Sequence, residues 1–455
     1  MTEYPSVRTL VSRATIAVTA LVVSFGSAWA AAIGTPLTDP IQVLAAGESP
    51  ALVFESPTVG RDGNDNLAVV WSAGGSSSGN GIGSPVFGRL FASDGSPTSP
   101  SVQLVPRDAR NSTEVTPLSL AVNRVGQFAT TYRSSTVGSF RSSTVFARTF
   151  AADGTPVATI EVARTPPDLG DRIFEQVEGP AVAINAAGEI VVTWITHITT
   201  DTASERLPLI GIGSSTIRAR RFRLDGTPIG NTQIVAQRTL PSLFGGIEYI
   251  VPNIRIAMSD NGDYAVAYSL RRPLFQVNSP FEAQLFRANG TSVVLPTRFV
   301  LTGDRTALVG FVDYALSFST DGDLLFAWTT PDRLTIPSQG PTTDDIWLAR
   351  YAARGGAVSP QGPVAFVAQR ESQGGGNLTL NVSPTPSGGA AITWPTGNRN
   401  EPDQAFGRYF DSRLRPLTEP FVVAESAGSV HSTTDSRGNL IVAYGKVMVR
   451  KFQGP

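Results

Sequence analysis

Five arginines recur at comparable places along this chain of 455 residues: Arg107, Arg164, Arg238, Arg305 and Arg370. The two corresponding places elsewhere hold Glu48 and Glu425. A guanidinium group is permanently charged and presents paired N–H donors, which suits carboxylates, sulfates and phosphates. A broken ring of arginines would therefore suit an anionic glycan. The chain has only two histidines, His197 and His431, and no cysteine. A three-histidine zinc site, a thiolate site and a disulfide are all excluded by that count. Asp260-Asn-Gly-Asp263, Asp321-Gly-Asp323 and Asp62-Gly-Asn-Asp65 are rich in oxygen, but none has the spaced acidic ligands of a calcium loop. Turn chemistry accounts for all three. No metal and no cofactor is expected. Paired carboxylates for glycoside hydrolysis need no proximity in sequence. Asp344-Asp345 and Asp168 with Asp171 read as solvated loop charges.

The elements that position these residues come from a repeat. Seven times a turn is followed by an apolar run that closes on Trp71, Tyr132, Trp194, Tyr268, Trp328, Trp394 or Tyr444. Clear copies are Asn185-Ala-Ala-Gly188-Glu-Ile-Val-Val-Thr-Trp194 and Ser319-Thr-Asp-Gly322-Asp-Leu-Leu-Phe-Ala-Trp328. An alternating strand with an arginine comes next, as in Val86-Phe-Gly-Arg89-Leu-Phe91, then an Asp-Gly turn and a fourth short strand. We name the four strands A, B, C and D. The B strands are apolar on nearly every residue, so both of their faces are buried, as when sheets stack face to face. The Gly-containing turns are those of tight hairpins. One such unit cannot cover its own apolar faces and needs neighbours.

This pattern predicts an all-β fold: a seven-bladed β-propeller of four-stranded antiparallel blades. The seventh unit stops after its C strand, Val447 to Phe452, and lacks a D strand. The segment Gly34-Thr-Pro-Leu37 and Ile41-Gln-Val-Leu-Ala45 matches an internal C–D turn and D strand, Gly226-Thr-Pro-Ile229 and Gln233-Ile-Val-Ala236. The N-terminal strand is thus expected to close the ring and remove the open sheet edges.

Residues 1–30 read as an export signal, with Arg8 and Arg13 ahead of an apolar stretch and Ala28-Trp29-Ala30 as the cleavage signature. Residues 31–455 then form one propeller domain, secreted to the exterior or the cell envelope. No later stretch reaches the roughly 18 apolar residues of a membrane span. Basic and acidic residues number 36 and 37, a net charge of −1, which argues against nucleic acid as a partner.

The repeat resembles those of secreted bacterial surface proteins, with glycine turns, an apolar run closed by Trp, and an Arg-containing strand before the next Asp-Gly turn. That resemblance covers residues 34–455 and implies propeller blades. Sialidases are also propellers, and the turns at Ser259 to Gly262 and Ser319 to Gly322 resemble their Asp-box turn. No Thr-Trp follows either turn, and both lead into strand B. Sialidases use an arginine triad and a tyrosine nucleophile with a glutamate. Glu248 beside Tyr249 matches the second feature, but the isoleucines flanking the pair fit an ordinary exposed loop.

The B–C and D–A connections vary in length and emerge on one face, so ligands are expected there. D is the outermost strand, which puts the five arginines on a solvated rim. His431, in the seventh A strand, should line the central channel, and His197 has no evident partner. The chain is expected to be a monomeric, non-catalytic binding module for an anionic glycan or another surface protein. A carbohydrate-active enzyme and a structural spacer are the alternatives.

Overall fold

Runs of Val, Ile, Leu and Ala without polar alternation make strands that need cover on both sides, and the fold supplies it. A computed structural model describes residues 32–44, 57–72, 85–105, 111–136, 143–166, 173–201, 210–239, 249–250, 253–271, 281–293, 313–331, 342–353, 358–372, 379–396, 404–425 and 430–455. The stretch read as an export signal lies outside them.

Seven antiparallel sheets stand in a ring. Blade 1 comprises Thr58–Arg61, Leu67–Ser72, Val86–Phe91 and Val102–Val105. Blade 2 comprises Asn111–Val122, Phe128–Thr136, Ser143–Phe150 and Pro156–Arg164, and blade 3 Ile173–Ile184, Ile190–Asp201, Ile210–Phe222 and Pro228–Thr239. In blade 4 the A edge is split into Tyr249–Ile250 and Arg255–Met258, followed by Tyr264–Arg271, Phe281–Phe286 and Ser292–Val293. Blade 5 has Tyr314–Phe318, Leu324–Pro331 and Thr342–Ala352, with its D edge split into Ser359–Pro360 and Ala365–Ser372. Blade 6 is Asn381–Pro384, Ala390–Pro395, Ala405–Phe410 and Phe421–Ala424.

Blade 7 is built from both ends of the chain. Val430–Thr434, Leu440–Tyr444 and Met448–Phe452 are its A, B and C strands, and Ile41–Gln42 is its D strand. Ile41 pairs with Val449 and Gln42 with Met448. Gly34 N donates to Gln453 O at 2.8 Å, and Gln453 N to Thr35 O at 2.8 Å. The ring therefore closes as the repeat count requires.

The core is a set of seams between blades. Leu67–Ser72 and Ala390–Pro395 are buried along their whole length, whereas the C strand Ser143–Phe150 alternates buried and half-buried residues. One apolar cluster joins Val145, Ile160 and Val162 of blade 2 to Val182, Val192 and Trp194 of blade 3. The aromatics that close the apolar runs of the B strands also stack within their own blades. Trp71 lies on Phe87 at 6.2 Å between ring centres, Tyr132 on Phe146 at 5.2 Å and Trp394 on Phe406 at 6.1 Å.

The repeated arginine has a structural task. Arg89, Arg148, Arg220, Arg408 and Arg450 each lie over the phenylalanine two residues on, at 5.3–5.7 Å from the ring centre. From that perch Arg89 donates to Val43 O in the preceding blade at 2.8 Å. Arg148 donates likewise to Leu104 O, and Arg408 to Val367 O. A second set points forward: Arg350 donates to Ser412 O of the following blade at 2.6 Å, and Arg287 reaches Ala353 O.

Replacing Arg408 with Met keeps the apolar stem and removes the donors to Val367 O and Thr418 O. Buried carbonyls left without partners should lower stability by about 1–3 kcal/mol, read as an earlier urea midpoint.

Candidate functional site

The two faces of the ring differ. Five residues separate strands A and B in every blade: Arg61 from Leu67, Val122 from Phe128, Ile184 from Ile190, Met258 from Tyr264, Phe318 from Leu324, Pro384 from Ala390 and Thr434 from Leu440. Polar side chains in these turns serve the turn. Asp62 Oδ1 accepts from Asn64 N and Asn66 N at 2.8 and 2.9 Å, and Asp435 Oδ1 accepts from Arg437 N and Asn439 N at 2.9 and 2.8 Å. In the other oxygen-rich turns Asp263 accepts from Ala288 N and Arg287, Asp260 pairs with Arg124, and Asp323 lies against Arg350. Among the described residues no group of three or more His, Asp and Glu could hold a metal ion. On the other face the connections are irregular. B–C links range from Tyr444–Met448 to Ser72–Val86, and D–A links from Val105–Asn111 to Val293–Tyr314.

The D-strand arginines do not share one environment. Arg164 is exposed and forks onto Glu161 of its own strand at 2.9 and 2.6 Å. Arg238 crosses to blade 4, where Glu282 accepts from its Nη2 at 2.5 Å and from Tyr268 Oη at 2.6 Å. Arg370 departs from the expected solvated rim, being only 3% exposed. Its Nε lies 3.4 Å from Asp344 Oδ2, and its Nη1 3.9 Å from Asp313 Oδ2. Glu425 is exposed. Arg107, Arg305, Glu48 and Glu248 lie outside the described residues, as does the side chain of Tyr249, whose backbone pairs with Arg271.

Asp313 opens the A edge of blade 5. Tyr314 N donates to its Oδ1 at 2.9 Å and Leu380 N to its Oδ2. Burial raises its pKa, opposed by the charges of Arg370 and Arg255. The carboxyl is thus a knot between blades 5 and 6.

His197 has partners the sequence did not reveal. Its Nε2 is 2.7 Å from Glu178 Oε1 and its Nδ1 2.6 Å from Ser215 Oγ. Arg133 of blade 2 also reaches Glu178, at 3.3 Å. Burial alone would raise the Glu178 pKa, but the hydrogen bond and charge of His197 and the charge of Arg133 hold it below its ordinary value. Hydroxyl, imidazole and carboxylate in that order are the parts of a nucleophile triad. Here Ser215 is 1% exposed and meets the imidazole at Nδ1, so the group is a cross-strand brace.

The channel shows a different pattern. In each blade one A-strand residue pairs with the residue just before the terminal aromatic of strand B. This position is Thr58, Ser119, Ala181, Ala315, Asn381 and His431 in six blades. In blade 4 it is Arg255. His431 Nδ1 accepts from Val59 N of the next blade at 3.4 Å. Burial, reinforced by the positive charge of Arg255 on the far side of the ring, lowers the His431 pKa from 6.5 to about 4. Arg255 was legible in principle, because the register makes it the one permanent charge at a position otherwise filled by small or neutral residues.

No protein-family model matches the chain, and no curated protein matches it in sequence. Similar solved structures include the Cps50 (Swd1) β-propeller domain of Myceliophteria thermophila, at 9% identity over 92% of this chain and 99% of that one, with a TM-score of 0.42. An α-L-arabinofuranosidase of Fusarium graminearum aligns at 11% identity over 74% and 92%, TM-score 0.40. A sialidase of Trypanosoma rangeli aligns at 9% identity over 92% and 58%, TM-score 0.40. No activity is carried over from these proteins to this chain.

The site leads to measurable outcomes. Arg370→Ala strands Asp344 and Asp313 in a buried setting and should cost about 3 kcal/mol or more in chemical denaturation. Arg164→Ala, at an exposed pair, should leave the unfolding midpoint unchanged. The His431 ring should titrate near pH 4 by NMR. Its folded pKa lies below the unfolded value, so its contribution to stability is complete above about pH 6.5 and lost as pH falls toward 4. His431→Gln should flatten the stability profile across that window.

Proposed function

We propose that this chain is a non-catalytic binding module, exported from the cell, whose ligand is an anionic glycan met by the face of B–C and D–A connections. The observation that carries this reading is the asymmetry of the two faces. The turn face repeats one five-residue A–B turn seven times and adds short C–D turns, while the other face holds the wider variation in length. Variable connections on a rigid ring are the usual seat of recognition.

The state of the buried carboxylates described on that face also supports binding over hydrolysis. A glycosidase needs two carboxyl groups free to act on opposite sides of a bond. Here Asp313 and Asp344 hold Arg370, Glu282 holds Arg238 and Tyr268, and Glu178 holds His197 and Arg133. These groups are committed to bracing neighbouring strands. The likeness of the repeat to those of secreted bacterial surface proteins fits a recognition role outside the cell.

A glycan array probed at low and at high salt tests the reading. Acidic glycans should be retained at low salt and released at high salt. Incubation of a retained glycan should yield no new reducing ends. Cleavage would overturn the non-catalytic assignment, and an array without acidic hits at low salt would overturn the ligand class.

A further inference from the structure

We infer that the channel layer containing Arg255 and His431 is a carboxylate-binding subsite, and that the acidic group it takes is that of a sugar acid. This inference rests on the binding-module reading above and names the anchor within it.

The argument begins with the layer itself. Where the side chains of this layer make hydrogen bonds, they are seated against the A strand of the following blade. Ser119 Oγ accepts from Val182 N at 3.0 Å, Asn381 Nδ2 donates to Val430 O at 2.5 Å, and His431 Nδ1 accepts from Val59 N at 3.4 Å. Arg255 is half-buried, and its charge acts on Asp313 and Tyr314 of the following blade and on His431 across the ring. Among the described residues no carboxylate lies within 4.0 Å of its guanidinium nitrogens. The nearby acid is Asp313, whose oxygens are taken by Tyr314 N, Leu380 N and Arg370. Arg255 therefore brings a positive charge and a planar fork of donors that no described residue consumes.

His431 complements it. An Nδ1 that accepts a hydrogen bond from a backbone N–H carries no proton, so in the neutral ring the proton sits on Nε2. No described residue accepts from that Nε2. The layer thus offers one cation and one neutral N–H donor. That pair matches one negative charge spread over two oxygens, which is a carboxylate. A doubly charged phosphate would bring a second charge with no partner in the layer. The layer pairs with the residue just inside the B-strand aromatics, and the longer strand pairs of blades 2 and 3 rise beyond it on the side of the variable connections, so a ligand held there reaches it down the channel.

The test uses the full chain with D-glucuronate, glucose and glucose 6-sulfate as probes, read by calorimetry and by the His431 ring resonances. Glucuronate should bind and shift those resonances, and glucose should do neither. Arg255→Gln should weaken glucuronate at least tenfold and abolish the shift, while Arg255→Lys should retain part of the affinity if both variants keep the wild-type circular dichroism. Unchanged glucuronate affinity in Arg255→Gln overturns the subsite, as does binding that leaves His431 unmoved. A sulfate ester that binds better than the carboxylate overturns the ligand chemistry. If acidic polymers are retained on the array but glucuronate shows no heat and no shift, this inference fails and the binding-module reading stands. If no acidic ligand of any kind binds, both fail.

Discussion

A B strand buried along its whole length cannot be covered by its own blade, because the two faces of one sheet point at two different neighbours. Leu67–Ser72 and Ala390–Pro395 are such strands. Each blade therefore needs a blade on either side, and an open row would leave two apolar faces in water. Closure of the ring answers that demand, and it sends Ile41–Gln42 to the edge of Met448–Phe452. The contact joins the two ends of the chain, so its loop-closure entropy is the largest in the fold. The closing strand is held by more than its two ladder pairs. Arg450 Nε donates to Thr38 O at 3.1 Å, and Arg89 of the following blade grips Val43 O.

Packing sheets face to face also buries polar backbone at the seams, and this explains why the repeat contains arginine. Its planar group stacks on the phenylalanine two residues on, while its far end donates to a carbonyl of the blade behind. A lysine offers no plane to stack and no fixed fork. Blade 4 shows the limit of the rule. It has Gln284, and blade 5 has Ala349, where the other five have arginine, and the shorter amide of Gln284 donates only within its own blade, to Val293 O and Leu285 O. Arginines in the repeat are thus structural members, and any that act on a ligand stand where the repeat does not call for them.

The architecture was readable because it follows from local patterns multiplied by seven. Apolar runs, glycine turns and the missing last strand are features of neighbouring residues, and each exerts the same physical pressure in every copy. Where one copy departs, the ring absorbs it. Asp65 takes the left-handed turn position at φ 64° that Gly126, Gly188, Gly262, Gly322, Gly388 and Gly438 occupy elsewhere, and it is braced by Arg61 and Ser436. Leu414 does the same at φ 60° in a C–D turn, with its side chain buried in the core. The site was less readable because its contacts are made by blade stacking. Arg370 meets Asp313, and Arg133 meets Glu178, across distances in sequence that no motif spans. A rim position for Arg370 was a fair inference from strand order alone. It failed because an acid on the adjacent C strand and another at the start of the A edge converge on the guanidinium.

The same bookkeeping of partners locates what remains free to act. Among the described residues, Arg370, Arg238 and Arg133 near the variable face are matched to carboxylates, and matched charges contribute little field beyond their own pair. Arg255 is set apart by its place in the layer, where the equivalent residues of other blades are small or neutral. A cation within a ring of low-dielectric walls focuses its field along the channel, and at His431 the charge of Arg255 adds to burial, the larger cause, in lowering the pKa. A second cation is thereby disfavoured in the layer, which keeps His431 neutral and leaves it a hydrogen-bond donor. Among the described residues of the layer, the guanidinium of Arg255 and the neutral ring of His431 are thus the two groups set apart from the pairing that braces the blades.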